Sequence, residues 1–332
     1  MRVVVPCGQK KTYTALCVEV TDKKPNIGVK NIKCIYSVLD DMPMLLPQQL
    51  KLWQWMADYY MCTLGDIYKA ALPAGLKAED GYRPKTETYV GLTEKFHDEM
   101  ALNIALDMVS RYEKQQKALA GYLELSHWAE MSGTAIPDDI KEITQTELCN
   151  VTHCTTPTVK SLVKRGILEI YQKEVGRLNT DGEFTPQNAK LLNEAQQEAY
   201  NQVLMQFMKK NVVLLHGVTS SGKTEIYIHL ILKALQDHKQ VLFLLPEIAL
   251  TVQIMERLQR VFGSRLGIYH SKYSDAERVE IWKKQVSACP YDIIIGARSA
   301  ALLPFKNLGL VIIDEEHETS YKQQDPAPRY HA

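Results

Sequence analysis

Eight consecutive residues carry the strongest chemical signal. Gly217-Val218-Thr219-Ser220-Ser221-Gly222-Lys223-Thr224 fits the spacing G-x-x-x-x-G-K-[ST]. Each type in that pattern has a physical task. The glycines let the backbone wrap a phosphate with its N–H groups, and a helix starting at the end of the loop adds the positive end of its dipole. The Lys223 ammonium can reach the β- and γ-phosphates of a nucleotide, and the Thr224 hydroxyl can hold magnesium. The plain alternative is a glycine-rich turn that binds nothing.

A second run supplies carboxylates. Leu310-Val311-Ile312-Ile313 is wholly apolar, as expected of a buried parallel strand, and Asp314-Glu315-Glu316-His317 follows at once. Acids placed there leave the carboxyl edge of a sheet, where open α/β folds bind ligands. Asp314 would hold magnesium, and Glu315 would orient or deprotonate the attacking water. Alone, Asp-Glu after an apolar run is often a solvated turn; beside a phosphate loop it is a strong signal.

The elements that must position these groups can be read around them. Val212–His216 predicts a strand before the loop, and Glu225–Leu235 a helix after it. Further apolar runs, Val241–Leu245, Leu266–Tyr269 and Ile293–Ile295, end at Pro246-Glu247-Ile248, His270-Ser271 and Gly296-Ala297-Arg298-Ser299. Alternation of such strands with helical stretches predicts an α/β lobe over 186–332, built on a parallel doubly wound sheet.

Two smaller pieces precede it. Residues 1–111 open with β-rich stretches at Arg2–Val5, Thr12–Val20 and Val29–Leu39, with a turn at Lys23-Lys24-Pro25-Asn26. Helices are expected after Pro47, with Leu50, Trp53, Met56, Ala57 and Tyr60 on one face, and at Leu64–Ala71; a strand is expected near Thr88–Leu92. Residues 112–178 contain Thr155-Thr156-Pro157, a good helix start, and Gly166, a good helix stop, followed by an apolar strand at Ile167–Tyr171. Helix, glycine and strand together suggest a winged helix. Thr158, Lys160 and Lys164 would then contact DNA, or the module is a spacer whose lysines are merely solvated.

Composition narrows the class. The 332 residues are 45% apolar and 23% charged, which excludes whole-chain disorder. No apolar run reaches the ~18 residues of a membrane helix, and the opening Met1-Arg2-Val3-Val4-Val5-Pro6 is too short for a secretion signal. Seven scattered cysteines without a C-x-x-C pair predict reduced thiols in the cytoplasm. With 39 basic and 39 acidic residues, any argument for nucleic acid must be local.

Here a resemblance becomes specific. The third piece resembles the first RecA-like lobe of a superfamily 2 helicase and, more narrowly, the primosomal protein N′ (PriA) family of replication-restart helicases. The residues are Gly217–Thr224 with Glu225-Ile226-Tyr227, Pro246-Glu247-Ile248-Ala249-Leu250-Thr251, and His270-Ser271 with Ser274-Asp275-Ala276-Glu277-Arg278. They continue with Gly296-Ala297-Arg298-Ser299-Ala300, Pro304–Leu310, Asp314–His317, Ser320-Tyr321-Lys322-Gln323-Gln324 and Arg329-Tyr330-His331-Ala332. The β-rich start resembles the family's domain for a DNA 3′ end, and the middle piece its winged helix. The resemblance implies that Gln196 reads adenine, that His317 couples nucleotide state to DNA, and that Arg298 and Ser299 line the path of a single strand. Lys33 matches a lysine of the 3′-end pocket.

Departures from the family matter equally. The resemblance implies a further strand segment before the point matching Met1, so the 3′-end pocket is expected to be incomplete. It also implies a second RecA-like lobe and a cysteine-rich zinc module beyond Ala332, so zinc is expected only there. The expected function is that of an ATP- and magnesium-dependent 3′→5′ DNA helicase recognising abandoned replication forks and promoting primosome assembly and helicase loading. Its implied partners are forked and single-stranded DNA, primosome proteins and single-strand-binding protein, with no membrane. This chain, as a fragment, is expected not to unwind alone. A non-catalytic fork-binding module with a nucleotide-switched lobe, and an ATPase acting on protein or small molecules, are the alternatives.

Overall fold

The computed structural model describes the chain except for residues 8–10, 24–31, 78–81, 83–84, 129–139, 175–181, 219–220, 247–251 and 271–272. Among the described residues three sheets organise it, and the chain divides into two compact units: Met1–Arg83 with Arg177–Ala332, and Pro84–Gly176.

The first unit begins with β1 (Arg2–Cys7), β2 (Lys11–Leu16) and β3 (Ser37–Val38), an antiparallel sheet in the order β2-β1-β3. The strand expected over Val29–Leu39 is reduced to the two residues of β3; 29–31 lie outside the described residues. Helices α1 (Pro47–Tyr59), α2 (Leu64–Ala71) and the single turn α3 (Ala74–Lys77) follow. Pro47 suits the first turn of α1 because its missing N–H has no helical partner there. Thr63 and Asp66 exchange bonds as a capping box that starts α2.

The second unit holds β4 (Thr86–Leu92), α4 (Glu99–Val109), α5 (Glu113–Leu125), β5 (Ile143–Thr144), α6 (Gln145–Thr152), α7 (Thr156–Lys164) and β6 (Leu168–Glu174). Its sheet is β5-β4-β6, with β4 and β6 antiparallel from Thr86↔Glu174 to Leu92↔Leu168. That pairing places β4 in the same compact unit as β6, Pro84–Gly176. Gly166 takes a φ of 73° directly after α7, the left-handed stop that its type predicted. Lys160 and Lys164 are exposed on α7, and Thr158 is half-buried.

The chain then returns to the first unit with α8 (Glu194–Phe207), α9 (Lys223–Gln236), β7 (Gln240–Leu244), α10 (Val252–Phe262), β8 (Leu266–Tyr269), α11 (Asp275–Val286), β9 (Ile293–Gly296) and β10 (Leu308–Ile313). The four strands are parallel in the order β10-β7-β9-β8. Strand periodicity divides their side chains. Val241, Phe243, Ile293 and Ile295 pack with Ile228 and Ile231 of α9 and Leu258 and Phe262 of α10. Leu242, Leu244 and Ile294 face the other way and join Trp282 of α11 with Trp53, Met56 and Ile67 of α1 and α2. The N-terminal helices therefore complete the core of the parallel sheet. Polar bonds fix their register: Gln49, 4% exposed, donates to the Leu302 carbonyl at 2.8 Å, and Trp282 Nε1 donates to the Met44 carbonyl at 2.9 Å. Asp275 accepts from Ala74 N at 2.7 Å and from Gly75 N.

Two expectations about the sheet differ from the structure. Val212–His216 is in no strand among the described residues; Val213 and Leu215 pack on Val203, Ile226 and Leu230 while Val212 and Leu214 face solvent. The burial alternates as in a strand, and Leu310 of β10 belongs to the same cluster, but no ladder pairing with β10 forms among the described residues. For the same reason β10 is an edge and not fully buried, with Leu308, Val311 and Ile313 each at least 40% exposed. Among the described residues no helix is long and apolar enough to cross a membrane.

Candidate nucleotide site

The loop expected to hold phosphate ends on Gly222, whose φ of 85° is open to glycine and costly for other residues. Helix α9 starts at the next residue, so Lys223 and Thr224 occupy its first turn. A β-carbon on Gly217 would lie 2.9 Å from Ser221 Oγ and 3.6 Å from the Lys223 side chain, so both side chains pack over the Gly217 backbone. Ser221 N donates to the Val218 carbonyl at 3.2 Å, closing the turn. Thr219 and Ser220 lie outside the described residues.

Lys223 folds back over this turn. Its Nζ donates to the Gly217 carbonyl at 2.7 Å and lies 3.8 Å from Glu315 Oε1. The two acids expected at the site arrive from β10, whose ladder with β7 continues into Asp314 N donating to the Leu244 carbonyl at 3.1 Å. Glu315 then takes a φ of 51°, the left-handed region, which bends the chain at the sheet edge. His317 is 67% exposed, with Nε2 3.8 Å from Glu315 Oε2.

Gln196 reaches the same loop. It is the third residue of α8, where its backbone N–H and side-chain oxygen form a capping box with Asn193. Its Nε2 donates to the Gly222 carbonyl at 3.2 Å. So Gly217, Gly222, Lys223, Glu315 and Gln196 converge, with Asp314 at the adjoining strand end. Lys33 is exposed and lies in the stretch before β3, on a different part of the unit. Arg298 starts the short turn Arg298–Leu302, which also carries Ser299. Its Nη1 donates to the carbonyls of Ser320 at 3.2 Å and Lys322 at 2.9 Å. There it holds a strap in which Lys322 bridges His331 and Gln323 N donates to the Tyr330 carbonyl. The same strap meets α1 where His331 N donates to Tyr60 Oη at 3.2 Å.

Two tyrosines that sequence reasoning did not assign flank Asp314. Tyr227 Oη donates to Asp314 Oδ1 at 3.1 Å, and Tyr321 Oη donates to the Asp314 carbonyl at 2.6 Å. Burial first, and the Asp314 carboxylate second, push both phenols well above their ordinary range. Both stay neutral donors. The available signal was spacing: Tyr227 is three residues after Thr224 and shares its side of the helix. The donor set suits a nucleotide with a divalent cation: amides and an ammonium for phosphate, and a hydroxyl (Thr224) and a carboxylate (Asp314) for a hard cation.

Comparison with known proteins agrees along the chain. Residues 1–73 match the 3′DNA-binding domain (3′BD) model, 87–175 the winged helix domain of PriA helicase from Bacteroidota, and 193–331 the DEAD/DEAH box helicase model. The replication restart protein PriA of Bacillus subtilis is 32% identical over 379 aligned residues, covering 100% of this chain and 46% of that protein. This chain belongs to the PriA family. The PriA of Haemophilus influenzae is 32% identical, covering 100% of this chain and 42% of its own length. That of Helicobacter pylori reaches 45% over 142 residues, 43% of this chain. The chain thus spans less than half the length of these PriA relatives. The family matches also follow the compact units: the winged-helix match falls within Pro84–Gly176, and the other two within the first unit.

Proposed function

We propose that this chain carries the nucleotide lobe and DNA-recognition modules of an ATP-dependent 3′→5′ DNA helicase of replication restart. It would act on stalled or abandoned forks, promote primosome assembly and helicase loading, and work in the cytoplasm. The observation that carries this reading is the convergence of Lys223, Glu315 and Asp314 at one sheet edge beside Gly217 and Gly222. Family membership and the matched 3′DNA-binding and winged-helix models support the DNA side.

The residues have distinct tasks. Lys223, released from Gly217 and Glu315, binds the β- and γ-phosphates, with backbone N–H groups of Gly217–Thr224 as further donors. Thr224 and Asp314 hold magnesium, which when bound neutralises charge building on the phosphate oxygens. Glu315 orients the attacking water and accepts its proton. Gln196 contacts the base, and His317, beside Glu315, carries nucleotide state toward DNA. Arg298 and Ser299 border the path of a single strand, Lys33 meets a 3′ end, and Thr158, Lys160 and Lys164 touch duplex phosphates. Forked DNA, single-strand-binding protein and primosome proteins are the proposed partners.

Lys223→Ala in a complete family protein tests this division of labour. ATPase should vanish while fork binding persists. Equal loss of fork binding would contradict a nucleotide-specific role for Lys223, and duplex unwinding by the 332-residue chain alone would contradict the need for further domains.

A further inference from the structure

We infer that Tyr227 is a positioning residue for Asp314, fixing the carboxylate in the orientation that a divalent cation with the nucleotide requires. The inference rests on the nucleotide-site reading above and adds to it a residue with no place in the phosphate-loop pattern.

The geometry is specific. Tyr227 sits on α9 one turn beyond Thr224, so the helix that presents the cation's hydroxyl ligand also presents this phenol. The ring is 7% exposed and packs edge-on to Phe243 of β7, with centroids 5.5 Å apart and planes at 72°. A ring held in that way delivers its O–H to one place, and that place is Asp314 Oδ1, 3.1 Å away. Tyr321 fixes the other part of the same residue by donating to its main-chain carbonyl at 2.6 Å. Asp314 is therefore held at backbone and side chain from two separate segments, α9 and the strap after β10.

The chemistry follows from that hold. A carboxylate that accepts one bond from a neutral donor keeps its full charge. Its rotation is restricted, and Oδ2 keeps its lone pairs for a cation or a cation-bound water. Outer-shell partners of this kind typically govern metal affinity by 10–100-fold. A tyrosine that merely filled the core would need an acceptor somewhere, but removing its hydroxyl would not alter cation dependence selectively.

Titration of the chain with a fluorescent ATP analogue, in excess Mg²⁺ and in EDTA, separates these roles. Tyr227→Phe keeps the ring on Phe243, and a thermal melt checks that the fold is retained. The expected result is unchanged affinity in EDTA and a roughly tenfold smaller gain on adding Mg²⁺. In an Asp314→Asn background the same substitution should change nothing further, because the two residues act as one unit. Equal losses with and without Mg²⁺, or a full additional loss in the Asp314→Asn background, would overturn the inference. Nucleotide binding with no Mg²⁺ gain in the unsubstituted chain would overturn the role of Asp314 and, with it, that of Tyr227. Absence of nucleotide binding altogether would overturn the nucleotide site itself.

Discussion

Lys223 Nζ lies 3.8 Å from Glu315 Oε1 while also donating to the Gly217 carbonyl at 2.7 Å. The lysine expected to grip phosphate and the acid expected to activate water thus neutralise one another across the loop. A triphosphate entering there would compete with Glu315 for the ammonium. On the proposed roles, binding would free the carboxylate from its cation as a water needs it, tying occupancy of the loop to the readiness of the acid.

Glu315→Gln separates binding from turnover. The amide keeps size and polarity but cannot take a proton. In a complete, DNA-stimulated protein, kcat should fall by about 10²–10⁴ with little change in KM. A parallel rise in KM would mean that Glu315 serves mainly to place the nucleotide.

Gly222→Ala tests the loop geometry. At a φ of 85° an L-residue is strained, and its β-carbon would lie 2.2 Å from Gln196 Nε2. Nucleotide affinity should drop roughly tenfold or more, with a local cost of about 1–2 kcal/mol in stability. Wild-type affinity in this variant would show that the loop opens freely.

Gly121→Ala should destabilise the second unit by about 1–3 kcal/mol. In an exposed helix the same change gains up to about 1 kcal/mol, so the sign discriminates. The added carbon would meet Thr152 Cγ2 at 2.1 Å, where α5 packs on α6. Adding Thr152→Ser, which removes that methyl, should recover most of the loss in a denaturant titration.

Alkaline pH should weaken the same unit through Cys149. Burial, with the Cys154 thiol 3.8 Å away as the lesser cause, pushes the Cys149 thiol up to about 11 from its ordinary 9.0. Unfolded chains lose that proton first, so stability declines as pH rises from about 9 to 11 and is untouched at neutral pH. Melting curves of wild type and Cys149→Ala should diverge across that window. Parallel curves would remove Cys149 as the source.

Much of this was legible in sequence because local pattern and tertiary need coincide. Gly222, Lys223 and Asp314 stand where a loop, a helix start and a strand end must meet, and Leu266–Tyr269 and Leu64–Ala71 were read to the residue. What escaped depends on long-range pairing. β4 reads as a strand anywhere, and only its bonding to β6 assigns it to the winged-helix unit. Val212–His216 reads as an apolar strand, but a strand is made by ladder pairing, which the segment lacks among the described residues. The merging of α1 and α2 into the core under the parallel sheet rests on Trp53 and Trp282, whose individual burial says nothing about each other. Tyr227 was hidden in plain sight, because a buried tyrosine declares its partner only in three dimensions.

Gly217–Thr224 and Asp314–Glu315 are proposed to form one magnesium-dependent nucleotide site. Equilibrium titration of the 332-residue chain with a fluorescent ATP analogue, with and without Mg²⁺, tests it most directly. Saturable binding that Mg²⁺ strengthens, and that Lys223→Ala weakens by roughly 10–100-fold, is the predicted result. Binding indifferent to both Mg²⁺ and Lys223→Ala would contradict it.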